Sequence, residues 1–165
     1  MKIQILDKTD KKKIIEQLSY LGIDEIPYLL IKTGSERITA YSGNLDVKEL
    51  YQIWRLLPIE GMGLYFGKEF LDRSTGKRET RVSLDALHLL KHKIKKNIIE
   101  VNKEQEAEWF KGKNIELDEE QQKEYGVFVD FVAIKSGEDF IGIGKISHDK
   151  RIISNYLPKE RRVRS

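Results

Sequence analysis

Apolar residues recur along this chain at two spacings, every second residue and every third or fourth. Ile3 and Ile5 flank the polar Gln4, the alternation of a short strand or lead-in over residues 3–6. Ile14, Ile15, Leu18 and Leu21 then share one helical face, so a helix is predicted from an Asp10 N-cap to about Leu21, stopped by Gly22. YLLIKT (28–33) and RITAYS (37–42) enclose Gly34-Ser35 and read as a β-hairpin. Val47, Leu50, Tyr51, Trp54 and Leu57 restore helical spacing behind Asp46, a second N-cap, until Pro58 ends the run. A Gly-rich strand GMGLYFGKEF (61–70), a polar turn DRSTGK (72–77) and a strand over 78–83 follow. Ser83 then caps a helix carrying Leu84, Leu87 and Leu90, which finishes in the basic KHKIKKN (91–97).

Composition and element type change near Lys95–Asn97, which divides the chain into domains at 1–95 and 96–165. The second begins with a strand NIIEV (97–101) and a short acidic helix (103–110) closed by Gly112. A further acidic stretch, LDEEQQKEY (117–125), stops at Gly126. VFVDFVAIK (127–135) alternates as a half-buried strand should, and Ser136–Asp139 turn it back into FIGIGKI (140–146). His148-Asp149 turn again into RIISNYL (151–157), after which Pro158 opens a basic tail. The expected class is α+β: an α/β first domain, then a small mixed β-barrel of short strands with a helix over it.

The 39% hydrophobic content suffices for a core and excludes wholesale disorder. Zero cysteines exclude a disulfide scaffold and any cysteine-ligated metal site. With no apolar run of membrane-spanning length and no leader-like start, the protein is expected to be soluble and cytoplasmic, with no membrane partner. The net charge of +3 conceals its distribution. From Arg73 to Lys96 there are eight basic and two acidic residues; from Glu100 to Asp139, five and twelve; from Phe140 onward, seven and two. Two basic blocks thus flank an acidic one, and clustered Lys and Arg gain from counterion release at phosphates.

Catalytic chemistry is poorly supplied, and no enzyme activity, catalytic residue, metal or cofactor is expected. The serines occupy turns or a helix cap, with no G-x-S-x-G around them. His88 and His92 share a helix face at i, i+4 but lie in a lysine run without a third ligand pattern. Gly142-Ile143-Gly144 lacks the third glycine and the following helix of a nucleotide loop; glycines in a strand more often permit a bulge or a close backbone approach. Nucleic-acid binding survives. One basic set comprises Lys145, Lys150, Arg151, Lys159, Arg161, Arg162 and Arg164; a secondary set comprises Arg73, Lys77, Arg78, Arg81, Lys91 and Lys95. Tyr65, Phe66 and Tyr156 lie near them and could stack on unpaired bases, although Phe66 and Trp109 are the more natural core residues.

GMGLYFGK (61–68), VSLDALHLL (82–90), KNIIEVN (96–102), EAEWFKGKNI (106–115), GVFVDFVAI (126–134) and FIGIGK (140–145) follow one another in an order that resembles a known family. It is the archaeal and eukaryotic ribosome-biogenesis family in which a pre-PUA domain precedes a PUA domain, the RNA-binding module named after pseudouridine synthases and archaeosine transglycosylases. The resemblance implies a pre-PUA α/β domain over 1–95 and a PUA pseudo-barrel over 96–165. It also implies an RNA surface at Lys111-Gly112-Lys113 and the late basic strands. On the leading reading of the residues, backbone phosphates meet the basic residues at 145–164 while strand-edge backbone left open by Gly142 and Gly144 approaches a base or ribose. The implied function is non-catalytic RNA binding in rRNA maturation or ribosome assembly, with rRNA as ligand before tRNA. The ending NYLPKERRVRS (155–165) is more basic than that family's and is similar to PUA-like domains attached to RNA cytosine-methylating enzymes. The alternative is therefore a PUA adaptor that brings such a modifying enzyme, or another assembly factor, to its RNA, with the acidic segment 104–124 as the docking surface.

Overall fold

The computed structural model describes residues 2–164; Met1 and Ser165, the outer limits of the two predicted domains, lie outside the described residues. The chain forms two compact units. The first takes the chain up to Ser19 together with Asp24–Ala86, and the second takes Tyr20–Ile23 and everything from Leu87.

In the first unit, β1 (Ile3–Ile5), β2 (Leu29–Thr33), β3 (Arg37–Tyr41), β4 (Leu64–Leu71) and β5 (Arg78–Val82) form an antiparallel sheet in sequence order, with α1 (Lys8–Gln17) and α2 (Val47–Leu56) between strands. α2 starts where its sequence predicts: the Asp46 carboxylate accepts from the N–H of Glu49 at 2.8 Å, and the Glu49 carboxylate accepts from the N–H of Asp46. α1 does not. Its N-cap is Asp7, whose Oδ1 accepts from the N–H of Asp10 at 2.8 Å, so Asp10 is a first-turn residue. The opening turn, Lys8-Thr9-Asp10, carries no apolar residue, and its cap was therefore invisible to the hydrophobic period. Ile5, Ile31 and Leu50 make a core against Ile3, Leu29, Tyr41, Tyr51 and Met62. The Tyr51 hydroxyl also accepts the N–H of Ile5 at 3.0 Å, which ties β1 to α2.

A polar network crosses the same sheet. Glu69 accepts from Lys32, from Gln17 Nε2 at 3.2 Å and from Arg78 Nη1 at 3.4 Å, while Thr80 Oγ1 donates to Gln17 Oε1 at 2.6 Å. Burial of Glu69 opposes its ionisation. The hydrogen bonds from Lys32 and Gln17, with the charges of Lys32 and Arg78, outweigh it and hold the carboxyl below its ordinary 4.5. A carboxyl depressed in the fold contributes stability above 4.5 and loses it as pH falls through the lower folded value. Acid titration followed by circular dichroism should therefore show wild-type stability declining below about pH 4.5. Glu69→Gln should remove that part of the decline and cost on the order of 1–3 kcal/mol at neutral pH, because Lys32 is left without its counter-charge.

α3 (Leu84–Leu89) begins in the first unit and ends in the second, with the Ser83 hydroxyl accepting the N–H of Ala86 at 3.0 Å as expected of its cap. The second unit continues with β6 (Ile98–Glu100), α4 (Lys103–Phe110), β7 (Ile115–Glu116), α5 (Glu119–Tyr125), β8 (Phe131–Ser136), β9 (Asp139–Ile146) and β10 (Ile152–Asn155). Its sheet runs β6-β8-β9-β10-β7, with β6 parallel to β8 and the other pairs antiparallel, and it curls into a half-barrel. α4 and α5 each start in a capping box, Asn102 with Gln105 and Asp118 with Gln121. β8 begins at Phe131 rather than at Val127. Asp130 takes a left-handed φ of 59° and its carbonyl accepts the N–H of Ile146 at 2.9 Å, so Gly126–Asp130 forms a loop with Val127 and Val129 exposed.

Trp109 on α4 is fully buried against β9, its indole N–H donating to the Ile141 carbonyl at 2.8 Å. A Cβ on Gly142, whose φ is 150°, would lie 2.8 Å from Trp109 Cζ2. The sheet register shifts opposite that glycine, between Ile134 and Lys135. Gly142 and Gly144 therefore make room for tryptophan. Gly144 is paired on both sides, with Val132 of β8 and Asn155 of β10, which corrects the expectation of an open strand edge there; pairing with β10 stops at that residue, and at Gly142 the Trp109 ring is what lies against the backbone, as the close-approach reading has it.

Candidate nucleic-acid interface

The C-terminal end of α4 and the end of the chain meet on the second unit. Gly112, with φ 84°, ends α4, and its N–H donates to Trp109 O at 2.9 Å. Arg162 lies across this glycine: a Cβ there would sit 2.6 Å from Arg162 Cδ and 2.8 Å from its Nε. The same Nε donates to Leu157 O at 3.0 Å, and the N–H of Val163 donates to Phe110 O at 2.7 Å. These bonds draw the tail onto the helix end, so that Lys111 and Lys113 share a surface with Lys159, Arg161, Arg162 and Arg164. Every one of these basic residues except the half-buried Arg162 is exposed.

Asn155, a residue the sequence did not single out, organises the arrangement. Its Nδ2 donates to the carbonyls of Trp109 at 2.8 Å and Lys113 at 2.9 Å, and its Oδ1 accepts the N–H of Leu157 at 2.8 Å. One amide thereby joins the α4 turn to the last strand and the tail. A lone asparagine at a strand end carries no periodic signal, which is why only the structure reveals it. Glu108 lies between Lys113 and Lys111, at 2.6 and 3.0 Å, and hydrogen bonds from both hold its carboxyl below the usual range. It pre-positions the two ammonium groups and offsets part of their charge. A phosphate arriving there competes with an exposed pair whose own strength is small.

The other members of the basic set behave differently. Lys145 projects beside the ring of Phe131, 5.5 Å from its centroid, and Tyr156 meets Phe131 edge-on at 5.6 Å. Lys145, half-buried, and the partly exposed Tyr156 thus both pack on the buried Phe131 ring. Lys150 takes a left-handed φ of 62° and donates its ammonium to Phe128 O, which holds the 126–130 loop. Arg151 is exposed in the turn beside Asp149, whose carboxyl is lowered by hydrogen bonds from the Ser147 hydroxyl and the N–H of Arg151.

The secondary set divides. Arg73 and Lys77 are exposed in the β4–β5 turn, Arg78 belongs to the Glu69 network and Arg81 lies on β5, all in the first unit. Lys91, 3.5 Å from Asp139, and Lys95 belong to the second. Of the rings, Phe66 and Trp109 are core, and Tyr65 lies under the Arg37 guanidinium at 5.0 Å. His88 Nε2 donates to Phe140 O at 2.7 Å, which ties α3 to β9, while His92 is exposed. Among the described residues, no three His, Asp or Glu side chains gather as a metal site and no helix is long and apolar enough to cross a membrane.

The family model described as "Methyltransferase RsmF PUA domain" matches residues 96–163. The second unit carries a PUA-like domain. The match spans β6 through the tail residues that close over Gly112, the part of the chain in which the basic surface is assembled. A PUA-like domain points to RNA as its ligand, in keeping with that surface. No curated protein matches the chain.

Proposed function

We propose that this is a non-catalytic RNA-binding protein of rRNA maturation or ribosome assembly, which grips structured or partly single-stranded RNA through its PUA-like domain. The observation that carries the reading is the closure of the basic tail over the Lys111-Gly112-Lys113 turn. Among the described residues, five exposed cations and the guanidinium of Arg162 gather in these two segments, which carry the carboxylates of Glu108 and Glu160. The resemblance of the motifs from residue 57 to 146 to the pre-PUA ribosome-biogenesis family supports rRNA as the ligand, with tRNA as the other structured candidate, in a cytoplasmic, archaeal-type setting. Roughly four phosphate contacts imply an affinity that falls about a hundredfold between about 50 and about 200 mM salt. A mobility-shift assay with structured rRNA and tRNA transcripts reads this directly, and no salt-sensitive shift with either would sink the proposal.

A second reading is favoured by the matched family, which is a methyltransferase's PUA domain. In it the chain is an adaptor that brings an RNA-modifying enzyme, such as an rRNA or tRNA cytosine methyltransferase, to its RNA. The acidic α4–α5 surface over residues 104–124 would then dock the enzyme. In the same assay, a shift that forms only when such an enzyme is added would favour the adaptor.

A further inference from the structure

The antiparallel sheet of the first unit has two unlike faces. On one, Ile38, Thr80 and Val82 are buried, and α1 reaches β5 through Gln17 and Thr80. On the other, α2 covers β1 and β2 by packing Leu50 on Ile5 and Ile31. Beyond that cover, the second face carries Arg37 of β3 and Lys68 of β4, directly opposite one another in the register, and Tyr65 of β4 opposite Thr39. A β-bulge brings them together. Regular alternation would point Tyr65 and Lys68 to opposite faces, but the register of β3 on β4 shifts between Ile38 and Thr39 and passes over Phe66. Tyr65 thereby joins Lys68 on the outer side, 36% exposed, while Phe66 is fully buried. The exposed Arg37 guanidinium lies over the Tyr65 ring, 5.0 Å from its centroid. The Lys68 ammonium is 2.7 Å from the Glu36 carboxylate, in a pair open to water on both sides. Arg81, opposite Lys68 on β5, is held by contacts of its own, and Glu79 lies two positions further along the hairpin, opposite Phe70.

We propose that this outer sheet face is a second RNA contact, which takes an unpaired nucleotide through Arg37, Tyr65 and Lys68. The proposal rests on the RNA-binding reading above, but on the other unit of the chain. The Tyr65 ring and the planar guanidinium held over it are both surfaces on which a base stacks. Lys68 beside them supplies a cation for the adjoining phosphate. The charge pattern favours a polyanion as the occupant: Arg37 and Lys68 are like charges directly opposite across a strand pair, which destabilises a sheet, and a phosphate between them relieves the repulsion. Glu36 offsets Lys68 only through an exposed pair, and such pairs are weak enough for a phosphate to displace. Every base has a π-face, so the contact should accept unpaired RNA with little regard to sequence.

The test titrates the full chain by anisotropy against two fluorescein-labelled RNAs, a single strand of about ten uridines and a hairpin with a short, tight loop. Tyr65→Ala should weaken binding of the single strand about tenfold, the loss of one stacked base, and leave its salt slope intact. Tyr65→Phe keeps the ring and should bind as the wild type does. Lys68→Gln should instead lower the salt slope for the single strand by about 0.7, one phosphate contact. All three variants should bind the hairpin like the wild type. Should Tyr65→Ala fail to fold, the slope of Lys68→Gln decides. Single-strand affinity and slope unchanged in both Tyr65→Ala and Lys68→Gln, or a wild type that binds the hairpin and not the single strand, overturns the sheet contact alone. A wild type that binds neither RNA overturns the RNA-binding reading with it.

Discussion

Replacing Trp109 with alanine should destabilise the second unit by about 3–5 kcal/mol, the range for a fully buried aromatic side chain. The loss has more than one source. The indole fills the space above Gly142 and lies 3.3 Å from where a Cβ on Gly144 would be, and backbone glycines cannot collapse into the vacancy. Its N–H is the partner of the Ile141 carbonyl in the structure, so truncation leaves a buried acceptor unpaired. Since small domains retain only about 5–15 kcal/mol in all, a loss of this size leaves the PUA-like domain marginal. The chain's other tryptophan, Trp54 on α2, gives a built-in control. Urea unfolding of Trp109→Ala, followed by Trp54 fluorescence, should report a first unit close to wild type, while circular dichroism shows an earlier transition. A shift below about 1 kcal/mol would mean that α4 is not the element on which β9 is packed.

What could be read from the chain beforehand follows from the range of each signal. The β2–β3 and β8–β9 hairpins were legible because strand alternation and turn residues lie within a dozen positions of one another. α2 was legible because its carboxylate cap and apolar stripe coincide. α5 was visible only as an acidic stretch: Tyr125 is its one buried residue, and the helix depends on the Asp118–Gln121 box. β7, two residues long, pairs with a strand more than thirty positions later and has no local signature. The start of β8 was misplaced because Val127, Phe128 and Val129 are β-branched and aromatic residues that lead without a turn signal of glycine or proline into Phe131, although the left-handed turn at Asp130 leaves them outside the sheet.

The candidate site divides along the same line. The basic residues were countable, and their types already pointed to phosphate. Which of them act together was not, because the tail reaches α4 through Val163 to Phe110 and Arg162 to Gly112, about fifty residues apart. Charge counting also treated every cation alike. The structure assigns Arg78 to a buried carboxylate and Lys150 to a loop carbonyl, where geometry rather than charge density sets their role.

That distinction yields the prediction with the largest functional effect. Lys159→Glu combined with Arg164→Glu reverses two exposed charges on the tail and spares the Arg162 bonds that attach it. RNA affinity should fall about ten- to a hundredfold at physiological salt, the salt slope should drop by about 1.5–2, and thermal stability should stay within about 0.5 kcal/mol of wild type. Arg162→Lys should do the reverse. It keeps the positive charge but loses the Nε that donates to Leu157 O, so the tail should loosen from Gly112, and affinity should fall through geometry with the charge count intact. Hydrogen exchange at the N–H of Val163, protected by Phe110 O in the wild type, separates the two cases: it should quicken in Arg162→Lys and stay slow in the double variant. Binding that survives the double reversal with its salt slope unchanged would place the phosphate contacts elsewhere.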